Sequence, residues 1–401
     1  MGGFPAGPRA GVKVSRRILA VTGSRAEYGS MRPVFGALAA YPGLKLELEL
    51  IVTGMHLAPQ FAASRAEIEG DALCPLHVVN IAPGAAEDMA LALAAQIAAM
   101  VPVMARVAPD IVLVQGDRGE MLAAALAAAH RNIVVVHMSG GDRTGSIDDS
   151  IRNAITSFAH LHLTTCVPST RRLIAQGEAP QRVFEVGEPA LDAIRLLEPV
   201  APAALAAELG LDLGRPLVLA TQHPVTTEAA EAVAQITATL QALEALGLQT
   251  VFTYPNTDSG SVDIVRVLEA WRGRGFLRVV PHLGQRAYLS MMKIASVVVG
   301  NSSSGILEAA SFRLPVVNLG TRQHGRLRAA NVVDAGYDTN DIMRAIGHVL
   351  NDAGFRQSLC TVNNPYGDGH TADKTADILA RARLVPGLLA KWLAPTAPFV
   401  D

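Results

Sequence analysis

Along this chain, short apolar runs bounded by Gly, Pro or Asp alternate with longer stretches whose apolar residues recur at helical spacing. The runs predict strands at Ile18–Thr22, Leu46–Val52, Ile111–Gln115, Ile133–His137, Leu161–Thr165 and Val183–Val186. A second series follows at Leu217–Thr221, Gln249–Thr253, Leu277–Val280, Val297–Gly300 and Val316–Leu319. Strand, helix, strand in repetition predicts an α/β fold, with parallel sheets covered by helices on both faces. The pattern lapses from Leu196 to Arg215, where EPVAPAALAAELGLDLGRP mixes Pro, Ala and Gly between the two series. Two doubly wound, Rossmann-like domains are therefore expected, at 16–195 and 196–378, facing each other across a cleft. Ligands in such sheets bind beyond the carboxyl ends of the strands, so the polar residues just after each strand are the informative ones.

Composition narrows the classes. A length of 401 residues gives room for two domains, and a formal charge of -2 provides no electrostatic footprint for nucleic acid or an anionic membrane. Aromatics at 4% leave little base-stacking surface. Cys74, Cys166 and Cys360 are scattered and odd in number, with neither disulfide nor metal spacing, which fits a reducing cytoplasm. The apolar run Met89 to Met104 contains Gln96 and Pro102, follows Glu87-Asp88 and is read as too short to span a membrane; a core helix is expected. The stretch MGGFPAGPRAGVKVSRR lacks the apolar region of a signal peptide, and residues 1–15 are expected to be a disordered leader.

Candidate chemistry collects at strand ends. In VVVGNSSSGILEAA a buried strand runs into three serines and a helix, more hydroxyls than one N-cap uses; extra donors at the positive end of a helix suit an anion such as phosphate. After the first strand, TGSRAEYGSMRP offers Arg25 and Glu27 but neither the GK[ST] ending of a P-loop nor a dinucleotide fingerprint. QGDRGE supplies Asp117 and Arg118, which are equally explained as helix caps. VVVHMSGGDRTGSIDDSIRNAI is the most charged loop, bringing His137, Asp142, Arg143, Asp148 and Asp149 together. Carboxylates crowded beside a histidine push one another's pKa values apart, as acid–base work requires. In the second half, His223, then Asn256 and Asp258, then Ser302 and Ser303, and finally Arg322 and Arg326 follow successive strands; Glu308, beyond the serines, is placed to accept from sugar hydroxyls.

The motifs VTGSRAEYGSMRP, QGDR, HMSGGDRTGSIDDSIRNAITSFAHLH, PNTDSG, GNSSSGILEA, NLGTRQHGR and YGDGHTA occur in an order that resembles the hydrolysing UDP-N-acetylglucosamine 2-epimerase family of sialic and nonulosonic acid biosynthesis, from Ile18 to about Ile378. The resemblance implies a GT-B fold, with the segment 379–401 packing back on the first domain. It implies that Ser302, Ser303 and Arg25 hold a diphosphate, that Glu308 binds ribose, and that His223, Asn256 and Arg322 line the nucleotide-sugar site. Asp117 and Asp148 match two acidic positions that the family uses, and Asp142 matches the acidic residue after the paired glycines. UDP would leave by elimination across C1 and C2, and water would then add. No cofactor or metal is implied, and a cytoplasmic homodimer or homotetramer is expected. Ser139 stands where the sialic-acid branch has Glu, Asn153 where many members have His, and Asp142 is shorter than the common Glu. Those departures keep open a non-hydrolysing epimerase, a GT-B glycosyltransferase and a non-catalytic nucleotide-sugar-binding protein.

Overall fold

The strand pairings are parallel and form two sheets in a computed structural model that describes residues 15–42, 45–58, 62–81, 88–143, 147–255 and 260–391. The first sheet contains β1 (Ser15–Thr22), β2 (Lys45–Val52), β3 (Leu76–Val78), β4 (Ile111–Gln115), β5 (Val134–Met138), β6 (Leu161–Thr164) and β7 (Val183–Glu185), in the order β3-β2-β1-β4-β5-β6-β7. The second contains β8 (Leu217–Thr221), β9 (Gln249–Thr253), β10 (Leu277–Val280), β11 (Val297–Gly300), β12 (Val316–Leu319) and β13 (Val332–Ala335), in the order β10-β9-β8-β11-β12-β13. Strand order reverses at β1/β4 and at β8/β11, and a crevice opens at each reversal. The loops carrying Arg25, Asp117, His223 and the serine turn follow those four strands.

Successive strand residues face opposite layers, and both layers are dry. Ile18, Ala20, Ile111 and Leu113 pack on one side of the first sheet, Leu19, Val21, Val112 and Val114 on the other. Val218 and Val299 against Leu219 and Val298 repeat the arrangement in the second. The edge strands β3 and β13, absent from the sequence reading, are half-exposed and give no strong apolar run.

Eight helices place the site: α1 (Arg25–Ala39), α2 (Met89–Val107), α3 (Gly119–Ala129), α4 (Ile147–Phe158), α5 (Ala190–Arg195), α6 (Gln285–Ile294), α7 (Ser303–Leu307) and α8 (Thr371–Arg381). Asp88 caps α2 by accepting from the amides of Ala90 at 2.8 Å and Leu91 at 3.0 Å. At 19 residues, α2 is longer than expected and, by length and composition alone, could cross a membrane. Gln96, Met100, Val103, Met104 and Val107 bury one face, while Met89 and Leu91 at its start are exposed.

The chain returns to the first unit at α8, before the expected position 379. Asp192 of α5, fully buried, accepts from Thr371 N at 2.9 Å and Ala372 N at 3.0 Å and so starts the helix. Arg16 of β1 donates to the carbonyls of Leu379, Ala380 and Ala382 at its end. Beyond it, Lys391 Nζ donates to Thr156 O of α4 at 2.7 Å and pairs with Glu178 at 2.5 Å.

Candidate active site

The serine turn is built around its asparagine. Gly300 has φ of 135°, and a Cβ there would lie 1.9 Å from Thr221 O, so the approach to β8 excludes a side chain. Asn301, fully buried, accepts His223 N–H at 2.7 Å and returns a hydrogen bond to His223 O at 2.9 Å. Its carbonyl accepts from Arg322 Nη1 at 3.1 Å and Gln323 Nε2 at 2.8 Å. One residue thus ties together the loops after β8, β11 and β12. Ser302 caps α7 by accepting from Ser304 N at 3.4 Å. With only 5 residues in α7, the helix dipole contributes less than the sequence suggested, which leaves the hydroxyls as the main donors. Burial pushes the Glu308 carboxyl up to about 7, opposed by a hydrogen bond from Ser304.

On the first unit, the centre is Arg152 of α4, only 3% exposed. It ion-pairs with Asp117, pairs with Asp149 Oδ1 at 2.6 Å and donates to Asp142 O at 2.9 Å. Burial, and then the charges of Arg326 and Arg172, bring its pKa down to about 10. Asp148 lies in the first turn of α4 and is among the charges acting on Arg118, which also pairs with Glu120 at 3.4 Å. Asp142 is anchored to its own unit: its Oδ1 accepts from Thr165 Oγ1 at 2.7 Å and Ser169 Oγ at 2.6 Å, while Arg172 holds the Gly141 carbonyl. Burial raises the pKa of Asp142, and those two hydroxyls oppose the rise.

His137 is placed differently from expectation. It is fully buried, with Nδ1 3.0 Å from Thr156 Oγ1 and Nε2 2.8 Å from Gly116 O, so both nitrogens are occupied away from the cleft. Burial brings its pKa down to about 3, so the ring stays neutral, and it holds the Gly116 carbonyl next to Asp117. Ser139 has φ of 64°, and its buried Oγ has no hydrogen-bond partner among the described residues. Asn153 points outward and is exposed.

The two units meet over these loops. Arg25, first in α1, has its pKa lowered by burial and faces His282 beyond β10; burial and Arg25 push that ring down to about 4. Gln285 Nε2 donates to Gly29 O across the gap at 2.9 Å. Arg322 stays with Asn301, whereas Arg326 turns toward Asp142 and Glu188 of the first unit. A cavity of about 30 Å³ separates Asp142 and Ser169 from Arg326 and Tyr366. Asn256 and Asp258 lie outside the described residues.

Three residues escaped the sequence reading. Arg152, three residues after Asp149 on one helix, and Asn301, beside Gly300 in the serine turn, were given no role. Glu188, at the end of β7, is 6% exposed, and burial followed by repulsion from Asp142 pushes it up to about 8. The Gly-Glu-Pro after that strand was the available sign.

Comparison with known proteins places this arrangement. A "UDP-N,N'-diacetylbacillosamine 2-epimerase (hydrolyzing)" of Legionella pneumophila is 36% identical, covering 94% of this chain and 98% of its own. A "GDP/UDP-N,N'-diacetylbacillosamine 2-epimerase (hydrolyzing)" of Campylobacter jejuni is 32% identical, covering 86% and 89%. The fold matches that of UDP-GlcNAc 2-epimerase from Neisseria meningitidis, solved with UDP-GlcNAc bound, at a TM-score of 0.79, 18% identity and coverage of 91% and 100%. Two doubly wound units of this kind form a GT-B fold. Residues 39–380 match the family described as UDP-N-acetylglucosamine 2-epimerase, and the chain is an enzyme belonging to that family.

Proposed function

We propose that the protein is a hydrolysing 2-epimerase of nonulosonic acid biosynthesis whose substrate is a UDP-linked 2-acetamido sugar, with the 2,4-diacetamido-6-deoxy form preferred over UDP-N-acetylglucosamine. The names of the Legionella and Campylobacter relatives support that preference. The observation that carries the reading is the opposition of two loop clusters at the switch points: carboxylates gathered by Arg152 on one unit, and the serine turn tied by Asn301 on the other. Ser302, Ser303, Arg25 and Arg322 take the diphosphate, Glu308 takes the ribose, and His223 lines the sugar side. A base removes the C2 proton while the C1–oxygen bond breaks and its electron pair leaves with UDP, giving a 2-acetamidoglucal. Water then adds hydroxyl at C1 and a proton to the opposite face of C2, releasing the manno-configured sugar. Asp117 and Asp148 do the proton transfers, and the donors around the diphosphate stabilise the leaving charge.

Turnover in D2O followed by NMR tests this directly. Deuterium at C2 of the released sugar and one UDP per sugar are expected. Protium retained at C2 would remove the elimination mechanism, and UDP-linked manno product would make the enzyme non-hydrolysing.

A further inference from the structure

Gln285 and Tyr288 lie three residues apart on α6 and share a face of that helix. Gln285 reaches Gly29 O in α1, the helix that begins with Arg25. The Tyr288 hydroxyl lies 2.8 Å from Ser304 Oγ and is also within hydrogen-bonding reach of Thr221 and Ser302. Ser304 Oγ in turn lies 3.5 Å from Ser302 Oγ and also hydrogen-bonds the Glu308 carboxyl. Each hydroxyl has a single proton to give. An ionised Glu308 carboxylate only accepts, so the Ser304 proton goes to it and Ser304 Oγ accepts from Tyr288, which burial pushes up to about 12 and so keeps protonated. Ser302 accepts the Ser304 amide, and its own proton turns either to the Tyr288 oxygen or to an outside acceptor.

We propose that Tyr288 is a positioning residue: in reach of both Ser304 and Ser302, it holds the turn so that Ser302 donates to the diphosphate and Glu308 accepts from the ribose. The proposal rests on the nucleotide assignment above. Because α6 also carries Gln285, the element that orients the C-terminal donors is the one in contact with the helix that presents Arg25. The other titratable groups facing Glu308 are Tyr288 itself and Glu188.

Calorimetric titration of the full chain with UDP, across a pH series, tests it in the wild type, Tyr288→Phe, Ser304→Ala and the double variant. Each single variant should weaken UDP binding about two- to tenfold, the loss of one hydrogen bond. The double variant should lose less than the sum of the two single losses, because Tyr288 and Ser304 belong to one hydrogen-bond network. The pH midpoint of binding should move upward in Ser304→Ala and in Tyr288→Phe, as Glu308 loses an oriented donor. Additive losses, a Tyr288→Phe variant that binds as the wild type does, or an unmoved midpoint would overturn the inference and leave the nucleotide reading standing. A wild type that does not bind UDP would overturn both.

Discussion

Two serines and a buried carboxyl form the nucleotide end of the proposed site, and each can be removed by itself. Replacing Ser302 and Ser303 with alanine deletes donors worth roughly 1.5–3 kcal/mol each to a charged acceptor, so UDP affinity should fall on the order of a hundredfold to ten-thousandfold by calorimetry. Unchanged affinity in a folded double variant would place the diphosphate elsewhere. Asp117→Asn should lose most turnover while UDP affinity is retained, because its carboxylate is assigned to the sugar. Glu188 carries a different consequence. Its ordinary value is 4.5, and the fold raises it to about 8, so between those values the native state holds a proton that the unfolded chain has released. Stability contributed by the neutral form is complete at pH values below 4.5 and is lost as pH rises through 8. Urea unfolding at pH 5.5 and pH 8 should show Glu188→Gln losing less stability over that interval than the wild type.

Among the elements, α8 depends on a residue far from it in sequence. Asp192 satisfies two backbone amides at the helix start, and it is fully buried. Asp192→Ala leaves both donors unpaired at about 1–3 kcal/mol each, so a lowered melting temperature is expected, with Asp192→Asn retaining part of the loss. An Asp192→Ala melting temperature equal to that of the wild type would show that water replaces the carboxylate. The central strands β4, β8, β9, β11 and β12 and the edge strand β10 have the bounds that their apolar runs predicted; burial on both faces leaves the central five a largely apolar signature. The edge strands β3 and β13 did not, since one side of each faces solvent and polar residues are tolerated there. The start of α2 was legible through Asp88; its end, three residues past Met104, is marked by Arg106 in the last turn and Pro109 just beyond, signals that the reading of the apolar run alone passed over.

Across the molecule, Arg25 comes from one unit and the serine turn from the other, so a ligand gripping both binds best when the units are closed. Small-angle scattering should show a smaller radius of gyration on adding UDP, and Gln285→Ala should reduce the contraction by releasing α1 from α6. An unchanged radius at saturating UDP would mean that the units are already closed in the free enzyme.

The alternation of strands and helices, the two-unit plan and the positions of Arg25, Asp117, Asp148, His223, Ser302 and Glu308 in the segments that follow strands were readable along the chain. Each depends on local information: which residues alternate between apolar and polar, and where a buried strand gives way to Gly, Asn or Ser. The roles of Arg152, Asn301, Glu188 and His137 were not readable. Arg152 and Asp117 stand 35 residues apart, and Asn301 and His223 stand 78 apart, so no window of sequence contains either pair. His137 sits at a strand end like a catalytic residue, yet packing takes both of its nitrogens. Desolvation belongs to the packed structure: a carboxyl or imidazole acquires its proton affinity from the groups folded against it, and only the tertiary arrangement brings those groups together.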